Sequence, residues 1–460
     1  MSPRALAAAA VWTAALAGPA LGQFPPAGGP PVGYPSAGGG NPYLGGPPPG
    51  GPVVAPAQYP GPYPPGTLPP GEPGFASVGP DLPTDTLAGV ATGTARGPRG
   101  WVGAEYLLFY TKDAPLNAPL AVVSPTAATA TFGNPSSRVL VGGSDIEYSN
   151  FSGVRVSGGY WITNNESVGV EGNLFFLPQR RGGTATAIGS DILPVLSRPF
   201  FDTTTNRQNS RILTQPGAFL GTIRTDANQE LWGAEIGPVW RALDRGGRWT
   251  VDVLSGFKFL SLEEDLAISD TSTGQRGGAT LFQGRVVAGG GTTAVNDRIE
   301  TSNKFYGGIV GLRTNLHVEA FTFTVGGKLG LGVMDETVRA NGSTTLSGTA
   351  AATTTSSGGF FVPNGTAGVF RRTEFTTIPE LNTNLAVQVT SHLTLTLGYT
   401  YLYIDNVVRP GDQLNTRLNS TLLPTSTNFG VNSGVRQAGI PFSTSTYWAQ
   451  GFNLGLNVGY

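Results

Sequence analysis

From residue 101 to the C-terminus, apolar side chains recur at every second position, not at the 3.6-residue spacing of a helix. A chain with that period has to fold as strands, with one face greasy and the other polar. Ten stretches carry the pattern. Five are WVGAEYLLFY (101–110), FSGVRVSGGYW (151–161), SVGVEGNLFFL (167–177), ELWGAEIGPVWRA (230–242) and RWTVDVLSGFKFL (248–260). The others are KFYGGIVGLRTNL (304–316), AFTFTVGGKLGLGVM (320–334), TTIPELNTNLAVQV (376–389), LTLTLGYTYLYI (393–404) and YWAQGFNLGLNVGY (447–460). No run approaches 18 consecutive apolar residues, so a helical membrane span is excluded while a strand-built one is not.

The connections alternate in length. Short turns are expected at Thr163–Glu166, Asp244–Gly247, His317–Glu319 and Thr390–His392. Long loops are expected between them, over roughly forty residues after the first strand, roughly fifty after the third, and over 261–303, 335–375 and 405–446. This is the rhythm of an outer-membrane barrel, with long loops outside and short turns in the periplasm. The predicted fold is therefore all-β: a single antiparallel up-and-down transmembrane β-barrel of about ten strands (eight to twelve), with both ends periplasmic. The alternative is a soluble β-sandwich.

The larger apolar residues define the outward face, as in Val102/Tyr106/Leu108, Trp232/Ile236/Trp240, Val310/Leu312 and Leu393/Leu395/Leu397. Nine mid-strand charges fall on the opposite face: Glu105, Arg155, Glu171, Glu235, Asp252, Lys258, Arg313, Lys328 and Glu380. Facing lipid at the midplane, Arg or Lys costs roughly 2–4 kcal/mol, a penalty a polar lumen does not impose. Five acids against four bases predict a balanced internal network that narrows or shuts the channel. A strongly selective pore would show an excess of one sign. Trp101, Tyr160, Trp161, Trp240, Trp249 and Tyr447 lie near strand ends, as girdle residues would. The last strand alternates Phe452, Leu454, Leu456, Val458 and Tyr460, and resembles the C-terminal signal by which outer-membrane barrels are recognised for assembly.

The first 22 residues read as a signal peptide: Arg4, a short apolar stretch over 5–17, and the small-x-small site Ala20-Leu21-Gly22. Residues 24–80 hold 19 Pro and 15 Gly with Glu72 as the only charge, too little apolar surface to offset chain entropy. The expected organisation is a signal peptide over 1–22, a disordered Pro/Gly-rich periplasmic spacer over 23–100, and the barrel over 101–460. The Tyr and Pro of the spacer also permit a ligand for a peptide-binding partner. Charged residues make up 12% of the chain and the net charge is −1, which gives no reason to expect nucleic-acid binding.

The stretch 101–120 (WVGAEYLLFYTKDAPLNAPL), with LWGAEIGPVW, GGYWI and VVRPGDQLN (407–415), resembles a family of planctomycetal outer-membrane, porin-like beta-barrel proteins. The resemblance covers roughly 101–460. It implies place and architecture, and no enzymatic role.

Catalytic chemistry is not expected. There is no Cys, so thiol catalysis and thiolate metal sites are excluded. The two His, His317 and His392, fall at predicted periplasmic turns, away from any surface active site and from each other. GGKLGLG (326–332) is no phosphate loop, because Lys328 is followed by Leu329 in a strand. No cofactor and no metal are expected. The expected function is a structural barrel or a narrow, weakly selective diffusion pore. The alternative is a binding or adhesion module whose long loops meet an extracellular ligand. Expected partners are outer-membrane lipid and the barrel-assembly machinery. The loop 405–446 is the best plug candidate.

Overall fold

The computed structural model describes residues 99–460 except 184, 190–193, 276–277, 288, 349–351, 436 and 438. The expected signal peptide and nearly all of the spacer lie outside the described residues. Ten antiparallel strands close into a ring. They are β1 (Gly100–Thr111), β2 (Phe151–Trp161), β3 (Val168–Arg181), β4 (Phe219–Asp244) and β5 (Trp249–Gly274), then β6 (Thr292–Val318), β7 (Phe321–Ser347), β8 (Gly368–Gln388), β9 (Leu393–Val408) and β10 (Thr444–Gly459). Each pairs with the next, and β10 returns to β1 in register from Trp101↔Gly459 to Thr111↔Ala449. Tyr460 extends this seam by exchanging backbone hydrogen bonds with Gly100 in both directions. Among the described residues no helix is long and apolar enough to cross a membrane.

The short turns fall at one end of the ring. Asp244–Gly247 turns on Gly246 and Gly247, whose φ of 62° and 71° suits glycine, and the Asp244 carboxylate accepts from the Gly247 amide at 2.7 Å. β6 and β7 are joined by Glu319 and Ala320 alone, so His317 sits in the strand opposite Thr322 rather than in the turn expected for it.

At the other end the expectation of long loops over 261–303 and 335–375 fails. β4 and β5 run 26 residues each, β6 and β7 run 27, and β8 runs 21. Most of those two predicted loops is strand. β1, β2 and β3 span only 12, 11 and 14 residues, so the ring has a tall wall and a short wall.

The reason is an inversion of phase. In the lower half the apolar residues point out: Ile236 is 62% exposed, Leu312 58% and Leu454 58%. Trp249 to Phe259 covers eleven positions, and at ~3.4 Å per residue and a tilt of ~40° that is roughly 26 Å, the height of a membrane barrel's apolar band. Above it the apolar residues point in. Leu231, Leu260, Phe305 and Met334 are buried, one position along from the outward Trp232, Phe259, Tyr306 and Val333. Trp232, Phe259 and Tyr306 pack along this boundary in tilted and edge-to-face contacts, with ring centroids 4.7 and 5.1 Å apart.

Three of the six expected girdle aromatics face outward: Tyr160, Trp240 and Trp249. The others are corrected. Trp101 lies on the same strand face as buried Leu107 and Phe109 and lines the lumen. Trp161 stacks on Arg241, 4.5 Å from its guanidinium carbon. Tyr447 is fully buried, with its hydroxyl accepting from Gln229 at 2.5 Å. Strand parity, not nearness to a strand end, decides which side a ring takes.

Candidate functional site

The lower lumen is built by cross-strand register. Pairing sets Glu105 opposite Arg155, Glu235 opposite Lys258 and Asp252 opposite Arg313. Each pair closes: Arg155 donates to Glu105 at 3.0 Å, Lys258 to Glu235 at 2.6 Å, and Arg313 to Asp252 at 3.2 Å. Three further ion pairs join strands that are not neighbours. Lys258 on β5 reaches Glu380 on β8, Lys328 on β7 reaches Glu235 on β4 at 2.6 Å, and Arg313 on β6 reaches Glu171 on β3 at 2.7 Å. Such contacts can only cross the inside of the ring. All nine charges singled out from the sequence take part in these six pairs.

The sequence reading leaves out Arg241, near the end of β4. It donates to Asp252 and to Glu166, both at 3.2 Å, and extends the network to the turn-lined rim. Its signal is its parity, which it shares with Glu235.

Small residues let the network pack. A Cβ on Gly398 would collide with the amides of Asn384 and Asn453, which bond to each other at 3.1 Å. A cavity of about 180 Å³ remains beside the charges, lined by Arg155, Glu171, Lys328, Asn382 and Thr400 among others.

Above the charges the lumen changes character. Segments from three loops form a separate sheet: Pro119–Ser124, Arg138–Gly142, Val195–Asp202, Arg207–Thr214 and Arg417–Leu418. It packs against the inward face of the tall wall in one apolar core that includes Leu107, Leu120, Phe200, Leu213, Leu260 and Phe305. Two buried arginines latch the sheet and the loop that follows β9. Arg198 bonds Asp270 on β5 at 2.7 Å and Asp297 on β6 at 3.3 Å, its guanidinium 4.1 Å from the Phe360 ring centroid. Arg409 holds Glu264 on β5 at 2.6 Å and the Asp113 carbonyl at 2.5 Å. The plug expected from 405–446 is thus one of three contributing loops, with 112–150 and 182–218.

Burial works against the Arg409 charge, but Glu264 outweighs it and holds the guanidinium above its ordinary value. Burial raises the Asp412 carboxyl, and the Ser445 hydrogen bond and Arg409 charge only partly offset it. At Asp202 burial acts upward too, but hydrogen bonds from Thr204, Ser420 and Asn209 together bring the carboxyl below its usual range.

The chemistry this arrangement supports is closure. Among the described residues no group of three metal-ligating side chains assembles. His392 contacts the Gly459 carbonyl at the turn-lined rim, and His317 lies on β6.

The outer membrane protease OmpT of Escherichia coli is similar over 78% of this chain and 97% of its own, at 7% identity and a TM-score of 0.35. The toluene transporter TodX of Pseudomonas putida matches 78% of this chain and 89% of its own, at 7% identity and 0.20. An anion-selective porin from Comamonas acidovorans matches 78% and 100%, at 7% and 0.16. At these scores the traces diverge too far to carry protease, transporter or anion-channel chemistry across. No curated protein sequence matches the chain. The family model described as Putative beta barrel porin-7 matches residues 101–460.

Proposed function

The chain belongs to that family of β-barrel porins, and on this premise we propose an outer-membrane protein whose barrel is structural and conducts at most as a narrow, weakly selective pore. One observation carries the reading: Lys258–Glu380 and Lys328–Glu235 bridge the lumen from wall to wall. Their balanced charge gives neither sign of ion a favourable path. The plug above adds a second barrier. In this reading the protein is not an enzyme. It is exported by the signal peptide at 1–22, and the Pro/Gly spacer over 23–100 lies in the periplasm. The assembly machinery reads Phe452, Leu454, Leu456 and Val458, which line one face of β10, and Tyr460 just beyond it. A planctomycetal source, implied by the resemblance over 101–120, belongs to the same proposal.

A second reading has support from one feature. Phe132, Val139 and Leu140 on the first loop are 47%, 37% and 43% exposed, apolar surface that a plug alone does not need. It fits display of a binding surface on a closed barrel.

Single-channel recording of the full protein in planar bilayers tests the first reading. The expected trace is silent or shows small steps with weak ion preference. Glu235→Gln or Arg313→Gln should shift that preference, and removing 409–443 should raise the step size. A large, steady conductance from the unaltered protein would sink the proposal.

A further inference from the structure

Immediately above the apolar band, the outer face of the tall wall carries a cavity of about 620 Å³ lined by polar and charged side chains. Most of its lining side chains face outward, and it also meets the strands at Gln229, Glu264 and Thr301, whose side chains are buried on the inner face. The strand register arranges its residues in rows. The uppermost apolar row is Ala234, Phe259, Tyr306, Val333 and Phe375, one residue from each of β4 to β8. Two residues higher stand Trp232, Ser261, Lys304, Asp335 and Thr373. The next row reads Glu230, Glu263, Ser302, Thr337 and Arg371, and the next contains Glu300 and Arg339. Ser302 and Thr337 point outward, because their neighbours Thr301, Asn303, Glu336 and Val338 are all buried.

Each of these three rows holds both signs. Lys304, Arg339 and Arg371 surround the Ser302 and Thr337 hydroxyls on three adjacent strands, which lie ~4.8 Å apart. Among the described residues none of the three cations forms an ion pair, and neither hydroxyl has a side-chain hydrogen bond. Asp335 and Glu300 stand opposite Lys304 and Arg339 in the register without closing a pair. Arg298, by contrast, is engaged by Asp265 at 2.6 Å and Glu300 at 3.1 Å. On the β4–β5 side, Glu230 and Glu263 lie side by side with no cation against either. Unpaired cations and hydroxyl donors suit a phosphate. Two adjacent carboxylates beside them, Glu263 also accepting from the Ser261 hydroxyl at 3.5 Å, suit an ammonium. Mixed signs make the site a poor match for a plain anion.

We propose that this outer-wall cavity binds the headgroup of a zwitterionic phosphoethanolamine lipid. Its phosphate sits among Lys304, Arg339, Arg371 and the two hydroxyls, its amine faces Glu230 and Glu263, and its acyl chains descend over Phe259, Tyr306, Val333 and Phe375. The proposal rests on the reading of the apolar band as lipid-facing.

The test uses the full protein in nanodiscs of phosphatidylethanolamine or phosphatidylglycerol, with retained lipid counted by native mass spectrometry after transfer to detergent. The expected result is preferential retention of phosphatidylethanolamine. The triple variant Lys304→Gln/Arg339→Gln/Arg371→Gln should lose retention of both lipids, by about fivefold per cation removed. Glu230→Gln/Glu263→Gln should keep phosphatidylglycerol binding and lose the preference. Equal retention of the two lipids by the unaltered protein, or unchanged retention by the triple variant, overturns the proposal. Displacement by soluble phosphoethanolamine as readily as by lipid overturns the lipid assignment in favour of a free phosphorylated amine. Failure to float with liposomes would overturn the membrane reading itself. Insertion without selective retention overturns only this site.

Discussion

The lower and upper halves of the barrel are made of the same strands, yet each is the other turned inside out. Below the row of Phe259 and Tyr306, apolar side chains face outward and nine paired charges fill the interior. Above it, Leu260, Phe305 and Met334 face inward on a packed core, and Glu263, Arg298 and Arg339 face out. A strand has no fixed polarity of its own. It offers two faces, and the medium on each side decides which face is apolar. The two halves are closed by different means: the lower by charge pairs across a narrow ring, the upper by a plug with the packing of a soluble domain.

Five substitutions in four experiments test that contrast, the experiments ordered by the largest effect expected in each. Lys258→Met leaves Glu235 and Glu380 buried without their shared cation and should cost about 3–5 kcal/mol, read as a lowered urea midpoint in detergent or lipid. A midpoint unchanged from wild type would mean that the lower interior is wet rather than sealed by charge. Placing Arg on the outer face in each half compares the media directly. Val310→Arg should cost roughly 2–4 kcal/mol and Ser302→Arg less than about 0.5. Equal costs at the two sites would erase the proposed boundary. Gly398→Ala forces Asn384 and Asn453 apart and should cost about 1–3 kcal/mol, with a shift in any residual conductance. The mildest of the four experiments is Trp240→Leu, where less than about 1 kcal/mol is expected and the main change should be in quenching of the outer aromatic ring by lipid-borne quenchers. Strong quenching of buried Tyr447 in the same experiment would contradict its inward placement.

Strand number and order are legible in the sequence because each of the ten lower segments keeps one uninterrupted phase. The upper extensions are not. At Lys258-Phe259-Leu260-Ser261 the apolar phase slips by one residue, and a reader following one face takes the slip for the end of the strand. The same slip at Leu231-Trp232, Phe305-Tyr306 and Val333-Met334 turns half of two expected loops into wall. At the site, alternation is enough to put nine charges on one face, but not to say which of them meet. That Lys328 joins Glu235 rather than its register neighbour Glu380 follows from how the ring closes, which no local pattern encodes. Arg241 escapes because a charge near a strand end reads as a turn residue. The plug is hidden for a related reason: its Arg198 and Arg409 look like ordinary loop arginines until Asp270, Asp297 and Glu264 come round to meet them.

The seam between β1 and β10 has a kinetic consequence. It joins Trp101 to Gly459, positions at opposite ends of the ring-forming chain. Pairings so remote in sequence form late, since the entropy of closing the intervening chain has to be overcome before any of their hydrogen bonds form. Until then the nascent sheet carries two open edges, each able to pair with another copy. The last step of folding is therefore also the step most exposed to misassembly, and its speed is set by how soon β10 finds β1.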